Sequence, residues 1–319
     1  LEILWQEGHT MHATSEEARA ETQKMLHVYE DLEKNYMAIP TLIGRKTDKE
    51  KFAGAEETYT CENVMYDGVA LQNGTSHYFG DGFAKAFDIK YLDKENNLVT
   101  PYQTSWGLST RTIGAIIMVH GDDYGLVLPP KIAPIKVILI PINNDEKVLE
   151  VTKNLKALLD QNEISNTIDN TDKTPGFKFA NAEVKGYPIR IEIGPRDLEN
   201  NEVTLVRRDT LEKDTIKIDT AINKVKGLLE DIQINLYNEA LKRRNNMIFE
   251  ANTYDEMKEL SKNKGLIYTS WCGDVNCEIK IKEELGLSSR CIPIGDVPSG
   301  KCVYCGKEAK HHIYFGKQY

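Results

Sequence analysis

The stretch Tyr102-Gln103-Thr104-Ser105-Trp106-Gly107-Leu108-Ser109-Thr110-Arg111 decides the fold, because a glycine-punctuated strand there ends in an arginine and a helix-like apolar run, 112–119, follows at once. An arginine at a helix N-terminus lies beside free backbone N–H groups and the positive end of the helix dipole, so an anion suits this position. Its guanidinium can hold phosphate oxygens through two parallel hydrogen bonds. A lone arginine there is more often a surface residue that caps a core helix, and the residues alone favour that interpretation.

The composition places the chain among ordinary globular proteins. Its 319 residues predict two or three domains, with 40% hydrophobic and 28% charged residues. The net charge of -9 excludes the broadly basic surface that indiscriminate nucleic-acid binding needs, so any RNA contact must come from local patches. No uninterrupted apolar run is long enough for a membrane span, and no signal peptide opens the chain. Six cysteines in a chain of this length do not suggest a disulfide framework, so we expect a reducing cytosol.

The pattern along the chain predicts an antiparallel sheet with few helices over residues 1–130. Thr14-Ser15-Glu16-Glu17 is a capping box, and a helix should follow it. Its buried face is expected to carry residues that recur at helical spacing: Met25, Tyr29, Leu32 and Tyr36. After Pro129, Pro130 and Pro134 the pattern changes to alternating strands and helices. These are strands at 136–141, 187–193 and 202–207 and helices at 146–159 and about 220–247.

Two short segments carry polar groups suited to a small ligand. The first of them begins with Leu1-Glu2-Ile3-Leu4-Trp5, a pattern that predicts a strand with no turn before it. We therefore expect that part of the protein precedes Leu1. Along that strand Trp5, Glu7 and His9 share one face and can shape a pocket for an amine-bearing ring. The alternative interpretation is an ordinary half-exposed strand. The second segment contains Gln72, Thr75 and His77 around a glycine, which lets a ligand approach the backbone.

Five of the six cysteines lie in the last region of the chain, and four of these form two pairs. Cys272 and Cys277, with Cys302 and Cys305, have spacings that suit a tetrahedral structural zinc site without an open position. The spacing gives Cys61 and Cys291 no partner cysteine, so we expect both to be plain buried thiols.

These segments, in this order, resemble the class II aminoacyl-tRNA synthetases, and in particular the prolyl-tRNA synthetases of the archaeal and eukaryotic type. The stretch ending in Arg111 is similar to motif 3, and Glu2-Ile-Leu-Trp-Gln-Glu-Gly-His-Thr is similar to the strand after the variable loop of motif 2. Gln72-Asn73-Gly74-Thr75-Ser76-His77 matches the family's Q-x-G-T-S-H residue for residue. The resemblance covers essentially the whole chain, and a final tyrosine, here Tyr319, is typical of the subgroup.

The resemblance implies roles for individual residues. Gln72, Thr75, Ser109 and Arg111 would contact ATP, with Arg111 offsetting charge on the leaving pyrophosphate. Trp5, Glu7, His9 and His77 would bind proline. The segments around 183–197 resemble the class IIa anticodon-binding domain, so Glu183, Arg190 and Asp197 would read the anticodon. The alternative interpretation is an ordinary α/β surface of mixed charge. The basic loop from Gly44 to Ala55 is also a family signature, and we expect it to close over substrate or contact the acceptor stem. The final tyrosine would pack back toward the catalytic domain.

The implied architecture has three parts. An α+β catalytic part with the antiparallel sheet of class II synthetases (1–130) precedes an α/β anticodon-binding domain (131–238) and a small α+β zinc-binding C-terminal domain (239–319). Motif 1 and the motif 2 arginine would precede Leu1, so the chain is interpreted as N-terminally incomplete.

The implied function is ligation of L-proline to tRNA(Pro) through prolyl-adenylate, with ATP, Mg²⁺ and a structural Zn²⁺, in a cytoplasmic homodimer. The alternative is a non-catalytic tRNA-binding or regulatory protein derived from a synthetase. A zinc-ribbon nucleic-acid binder would explain only the last region. The residues that contact ATP in the family argue against a pure binding module, which has no need of them.

Overall fold

The computed structural model describes residues 3–319, so the expected start of the first strand at Leu1 and Glu2 lies outside the described residues. The chain divides into two compact units. The first consists of Leu1–Asn35, Ile39–Ala115 and Leu241–Tyr319. The second consists of Tyr36–Ala38 and Ile116–Ala240. Segments from both ends of the sequence therefore build one unit.

The elements follow in chain order. Up to His120 they are β1 (Trp5–His12), α1 (Ser15–Asp31), β2 (Leu42–Arg45), β3 (Glu57–Val64), β4 (Ala70–Gly80), α2 (Gly82–Ala86), β5 (Tyr91–Leu92), β6 (Leu98–Val99), β7 (Tyr102–Ser109) and α3 (Arg111–His120). The middle of the chain forms β8 (Val137–Pro141), α4 (Glu146–Gln161), β9 (Asn166–Ile168), α5 (Pro175–Lys185), β10 (Ile189–Ile193), α6 (Pro195–Glu199), β11 (Glu202–Arg207), β12 (Lys213–Lys217) and α7 (Ala221–Asn246). The last region forms β13 (Ile248–Ala251), α8 (Tyr254–Leu260), β14 (Leu266–Trp271), α9 (Val275–Leu285), β15 (Ser288–Ser289), β16 (Ile292–Pro293) and β17 (His311–Gly316).

A six-stranded antiparallel sheet forms the centre of the first unit, in the order β1-β7-β4-β3-β2-β16. Its central strand β4 is largely buried, since β3 and β7 flank it and α1 packs against it. The predicted antiparallel sheet is therefore confirmed. A hairpin around residues 93–97 forms the separate β5–β6 pair.

Helix α1 begins with the predicted capping box, in which Thr14 Oγ1 accepts from the Glu17 amide and the Glu17 carboxylate accepts from the Thr14 amide. The predicted buried face is only partly right. Tyr29 is buried, but Tyr36 is 47% exposed, because the chain changes to a π-helical turn at Leu32–Tyr36. The wider turn breaks the α-helical spacing and buries Glu33 instead.

The second unit is built on a five-stranded mixed sheet in the order β12-β11-β10-β8-β9. β8 is parallel to β9 and β10, whereas β10, β11 and β12 are antiparallel. Its core consists of the apolar strand residues together with the apolar faces of α4 and α7, such as Leu139, Leu155 and Ile232. The expected switch to an α/β pattern is confirmed.

In the last region, β13, β14, β17 and β15 form a second sheet of the first unit, and β16 leaves it to pair with β2. A buried ion cluster joins the last region to the main sheet. In it the Glu62 carboxylate accepts from Lys46 Nζ (2.6 Å) and from Arg290 Nη2 (2.6 Å). The sequence pattern did not indicate that this region extends the main sheet.

Residues 317–319 lie against the start of β4. The Ala70 amide donates to the Lys317 carbonyl (2.8 Å), and the Tyr319 amide donates to the Ala70 carbonyl (3.1 Å). The Tyr319 hydroxyl donates to Asp67 Oδ2. The segment therefore packs back on the main sheet as predicted. Over residues 3–319, no helix is long and apolar enough to cross a membrane.

Candidate functional site

The strand register brings the two predicted polar segments together. Glu7 and Thr75 both pair with Gly107 of β7, and His9 and His77 both pair with Ser105. Residues opposite one another in a sheet point to the same face, so β1 and β4 present their polar side chains on either side of β7. A Cβ at Gly107 would lie 3.3 Å from Trp5 Cζ3, so the glycine leaves room for the indole.

A cavity of about 550 Å³ opens on this face. Its lining includes six of the predicted site residues: Trp5, Glu7, His9, Gln72, Thr75 and His77. The rest of the wall includes Phe52, Phe79 and Phe83, which sequence reasoning did not select. Phe52 lies in the basic loop from Gly44 to Ala55, where the neighbouring charged residues did not indicate a wall of a cavity. An apolar wall with a few convergent polar groups is typical of a small-molecule site.

Glu7 and His9 form a polar pair at the exposed side of the cavity. His9 Nε2 lies 2.9 Å from Glu7 Oε1, and both side chains are more than one-third exposed. Alternation along β1 places them beside Trp5. The cavity therefore offers a carboxylate next to an indole, which is the combination that an ammonium-bearing ring requires.

His77 is held on the buried side. Its Nδ1 lies 3.0 Å from Thr58 Oγ1, and the Phe52 and Phe79 rings lie 4.9 and 6.0 Å from its ring. Burial lowers the pKa of His77 to about 4, because the charged ring would lose its hydration. The imidazole is therefore neutral at pH 7. Sequence reasoning did not find Thr58, since only the β3–β4 register reveals that it faces His77.

Arg111 is the first residue of α3, at the strand-to-helix junction where the sequence predicts it. The Ser109 hydroxyl accepts from the Arg111 amide (3.2 Å), and Arg111 Nη1 donates to the Gln72 carbonyl (2.8 Å). The guanidinium is exposed and makes no other hydrogen bond to residues 3–319 in the structure. Arg111 and Ser109 do not line the cavity, but Gln72 does and connects them to it.

The basic loop is more buried than a solvated charge run would be. Lys46 is 4% exposed and paired with Glu62, and the Thr47 hydroxyl donates to Glu278 (3.1 Å). Glu50 and Phe52, farther along the loop, line the cavity. The loop is thus anchored at its start and contributes its middle to the cavity wall.

Of the three predicted anticodon residues, the structure brings two together. Arg190 Nη1 lies 2.9 Å from Glu183 Oε1, and Arg190 Nη2 lies 3.0 Å from Glu192 Oε1. The guanidinium is 4.5 Å from the Phe179 ring centroid, and the residue is 6% exposed. Asp197 lies on α6, where Oδ2 accepts from the Thr204 hydroxyl (3.4 Å), and no contact joins it to the other two among the described residues.

The four predicted cysteine ligands converge. The Sγ atoms of Cys272, Cys277, Cys302 and Cys305 all lie within 4.8 Å of one another. Cys272 Sγ is 3.7 Å from Cys277 Sγ and 3.6 Å from Cys305 Sγ. Zinc–sulfur bonds of about 2.3 Å in a tetrahedron imply sulfur–sulfur distances of about 3.8 Å, so the cluster fits a tetrahedral metal ion.

The two remaining cysteines are buried, as predicted. Burial raises the pKa of the Cys291 thiol to about 12, which keeps it protonated. The Cys61 pKa is also raised, mainly by burial. Both are therefore unreactive packing residues.

Comparison with known families places the two C-terminal regions. A family model described as the anticodon binding domain matches residues 136–228. A second, described as the C-terminal part of prolyl-tRNA synthetase, matches residues 254–319. The second match contains all four clustered cysteines.

Curated relatives match along the entire chain. The proline–tRNA ligase of Lachnospira eligens is 52% identical over 325 residues, which is 100% of this chain and 67% of the relative. That of Agathobacter rectalis is 54% identical over 322 residues, with the same two coverages. The chain thus spans about two thirds of the length of these relatives.

A solved structure has the same fold. The crystal structure of prolyl-tRNA synthetase from Cryptosporidium parvum, complexed with L-proline and AMP, is 39% identical and superimposes with a TM-score of 0.95. The match covers 99% of this chain and 70% of that one. The predicted fold class is therefore confirmed, and the chain belongs to the prolyl-tRNA synthetase family.

Proposed function

We propose that this chain carries the reaction centre of an enzyme that ligates L-proline to tRNA(Pro) through a prolyl-adenylate intermediate. The observation that supports it most is that β1, β4 and β7 bring Glu7, His9, Thr75 and His77 together around one cavity. The start of α3, with Arg111, adjoins this cavity through Gln72. The anticodon-binding match over residues 136–228 supports the RNA partner.

The cavity suits proline. Trp5 and the phenylalanine wall offer apolar surface to the pyrrolidine ring, and Glu7 offers a carboxylate to its ammonium group. His9 lies beside Glu7, and the neutral His77 lies on the buried side, where it can meet the carboxylate end of the amino acid. We assign proline binding to Trp5, Glu7, His9 and His77.

ATP would bind across Gln72, Thr75, Ser109 and Arg111. The guanidinium of Arg111 has nitrogens available for phosphate oxygens, and the α3 N-terminus adds free backbone N–H groups. A Mg²⁺ ion bound with ATP would neutralise part of the charge on the phosphates. Both groups act where negative charge leaves with pyrophosphate.

In the first step a proline carboxylate oxygen attacks the α-phosphorus of ATP, and the bond to the bridging oxygen of pyrophosphate breaks. In the second step a terminal ribose hydroxyl of the tRNA attacks the carbonyl carbon of prolyl-adenylate, and AMP leaves. The chain contributes positioning and charge stabilisation to both steps. We assign no general base, because the buried His77 is held by Thr58 and the exposed His9 by Glu7.

The cysteine cluster would hold a structural Zn²⁺ through Cys272, Cys277, Cys302 and Cys305. Four thiolates leave no position open for substrate. The ion would join the end of β14 and the start of α9 to the loop before β17. Its contribution is to the fold of the last region rather than to the reaction.

For tRNA recognition we propose Glu183, Arg190 and Asp197. Arg190 is already paired with two carboxylates, so reading a guanine edge would require it to exchange one of these partners. The free buried thiols suit a reducing cytoplasm. From the family resemblance we also propose a homodimer.

Proline-dependent exchange of pyrophosphate into ATP tests the proposal directly. Arg111→Ala in the full-length protein should abolish the exchange, and Arg111→Lys should restore little of it because the forked donor geometry is lost. Arg243→Ala is the matched control, since Arg243 packs over the Tyr66 ring away from the cavity. Binding of tRNA(Pro) without any exchange in the unmodified protein would refute the proposal and favour the non-catalytic alternative.

A further inference from the structure

Thr58 and His77 face each other across β3 and β4. Thr58 Oγ1 lies 3.0 Å from His77 Nδ1 and accepts a hydrogen bond from the Phe52 amide at 3.0 Å. Thr58 is 2% exposed. Its side chain is therefore largely buried, and the Phe52 amide and His77 Nδ1 are the partners of its hydroxyl among the described residues.

The hydrogen atoms around this oxygen can be counted. A backbone amide can only donate, so Phe52 cannot receive the single hydroxyl hydrogen of Thr58. Among the described residues, His77 Nδ1 is the acceptor that the hydroxyl reaches. Nδ1 must then carry a lone pair, and a neutral imidazole with a bare Nδ1 carries its hydrogen on Nε2.

The opposite tautomer is disfavoured. It would direct the Phe52 N–H and a His77 Nδ1–H to the same oxygen and leave the hydroxyl hydrogen buried without an acceptor. A buried unsatisfied donor shifts such an equilibrium by about tenfold to a hundredfold.

We propose that Thr58 is a positioning residue that fixes His77 as the Nε2–H tautomer, so that His77 donates a hydrogen bond to an oxygen of the bound amino acid or its adenylate. This rests on the proposed function, because the cavity that His77 lines is the one assigned to proline. No described residue bonds Nε2 in the structure, so this nitrogen is available to a ligand.

The assignment separates the roles of the polar groups in the cavity. A nitrogen that already carries hydrogen cannot take a proton from the amino acid, so His77 acts as a donor and not as a base. Burial holds its pKa near 4, so the ring keeps a single hydrogen at neutral pH. Glu7, His9 and Glu50 are the other titratable groups that line this cavity. Of these, Glu7 can accept from an ammonium group while His77 donates to a carboxylate.

Nitrogen-15 NMR of histidine-labelled protein tests the tautomer without reference to activity. The His77 signals are identified by their loss in His77→Gln. The expected spectrum shows a protonated Nε2 and a bare Nδ1, and a protonated Nδ1 in the unmodified protein would overturn the proposal. Thr58→Val should shift the ring toward the other tautomer, whereas Thr58→Ser should retain the original one.

Kinetics of proline-dependent pyrophosphate exchange supply the second readout. Thr58→Val should lower kcat/KM for proline by about 10- to 100-fold, with KM for ATP nearly unchanged, and Thr58→Ser should recover most of the loss. Thr269→Val is the matched control, since its buried hydroxyl donates to the Ala251 carbonyl in another sheet of the same unit. Equal losses in Thr58→Val and Thr58→Ser would overturn the proposal. Absence of exchange in the unmodified protein would refute the function and leave the tautomer measurement valid.

Discussion

Replacing Arg290 by alanine should destabilise the first unit severely. The guanidinium donates to Glu62 Oε2 from Nε at 3.0 Å and from Nη2 at 2.6 Å, and both side chains are at most 2% exposed. Truncation removes these two charge-assisted hydrogen bonds and a third, from Arg290 Nη1 to Gln318 Oε1, and it leaves Glu62 with Lys46 as its cation. Breaking a buried ion pair on one side costs about 3–5 kcal/mol, and the remaining Lys46 favours the lower end of that range.

The cost should also depend on pH. Burial by itself would raise the pKa of Glu62, but the cations of Lys46 and Arg290 outweigh it and hold the pKa below its usual range. A carboxyl group with a lowered folded-state pKa stabilises the protein above its unfolded pKa and loses that contribution as the pH falls through the folded value. The difference between Arg290→Ala and the unmodified protein should therefore shrink as the pH falls below about 4.

Urea unfolding followed by tryptophan fluorescence measures the free energy of unfolding of the relevant unit, because Trp5, Trp106 and Trp271 all lie in the first unit. Lys262→Ala is the control, since Lys262 makes only an exposed pair with Glu259 in the same unit and its loss should not be resolvable. A loss in Arg290→Ala no larger than in the control would refute the reasoning.

Three further predictions concern other parts of the chain. Cys302→Ser should lower the zinc content from one ion per chain in metal analysis, while Cys291→Ser, outside the cluster, should leave it at one. Asp197→Asn should leave proline-dependent pyrophosphate exchange intact and weaken aminoacylation of tRNA(Pro) by about 1–3 kcal/mol of lost base recognition, and an equal loss in both assays would contradict the assignment. Burial raises the pKa of Glu33 in the folded protein to about 8. Between the pKa of the unfolded chain and this value, ionisation of Glu33 favours the unfolded state, so the stability of the protein falls as the pH rises. Glu33→Gln should therefore gain stability relative to the unmodified protein on going from pH 5 to pH 8 in thermal unfolding, and a pH-independent difference would contradict this.

Local signals predicted most of the elements. The 202–207 strand agrees with β11, and the helix expected from residue 146 begins there because Asp145 caps it, accepting from the Lys147 amide. These features depend on neighbouring residues, which a single sequence displays. The family order of the motifs then supplied the arrangement of the parts.

Features that depend on register or on distant partners could not be read in this way. The burial of Lys46 follows from Glu62 and Arg290, and Arg290 lies in a region that the pattern alone treats as separate. Thr58 becomes relevant only when β3 and β4 pair with Thr58 opposite His77. A shift of one residue would place it on the other face. The roles of the ATP, proline and anticodon residues stay predictions.

The strand β16 also has a consequence for biosynthesis. Arg45 and Ile292 pair across β2 and β16, so partners in one sheet are separated by about 250 residues of chain. At a synthesis rate of about 5–20 residues per second, the ribosome needs roughly 10–50 seconds to deliver the second partner. During that interval the edge of β2 is a free template for strands of other molecules, and the charge of Arg45 on that edge discourages such pairing. The same delay leaves Glu62 without Arg290, so the sheet that carries the cavity matures only near the end of translation.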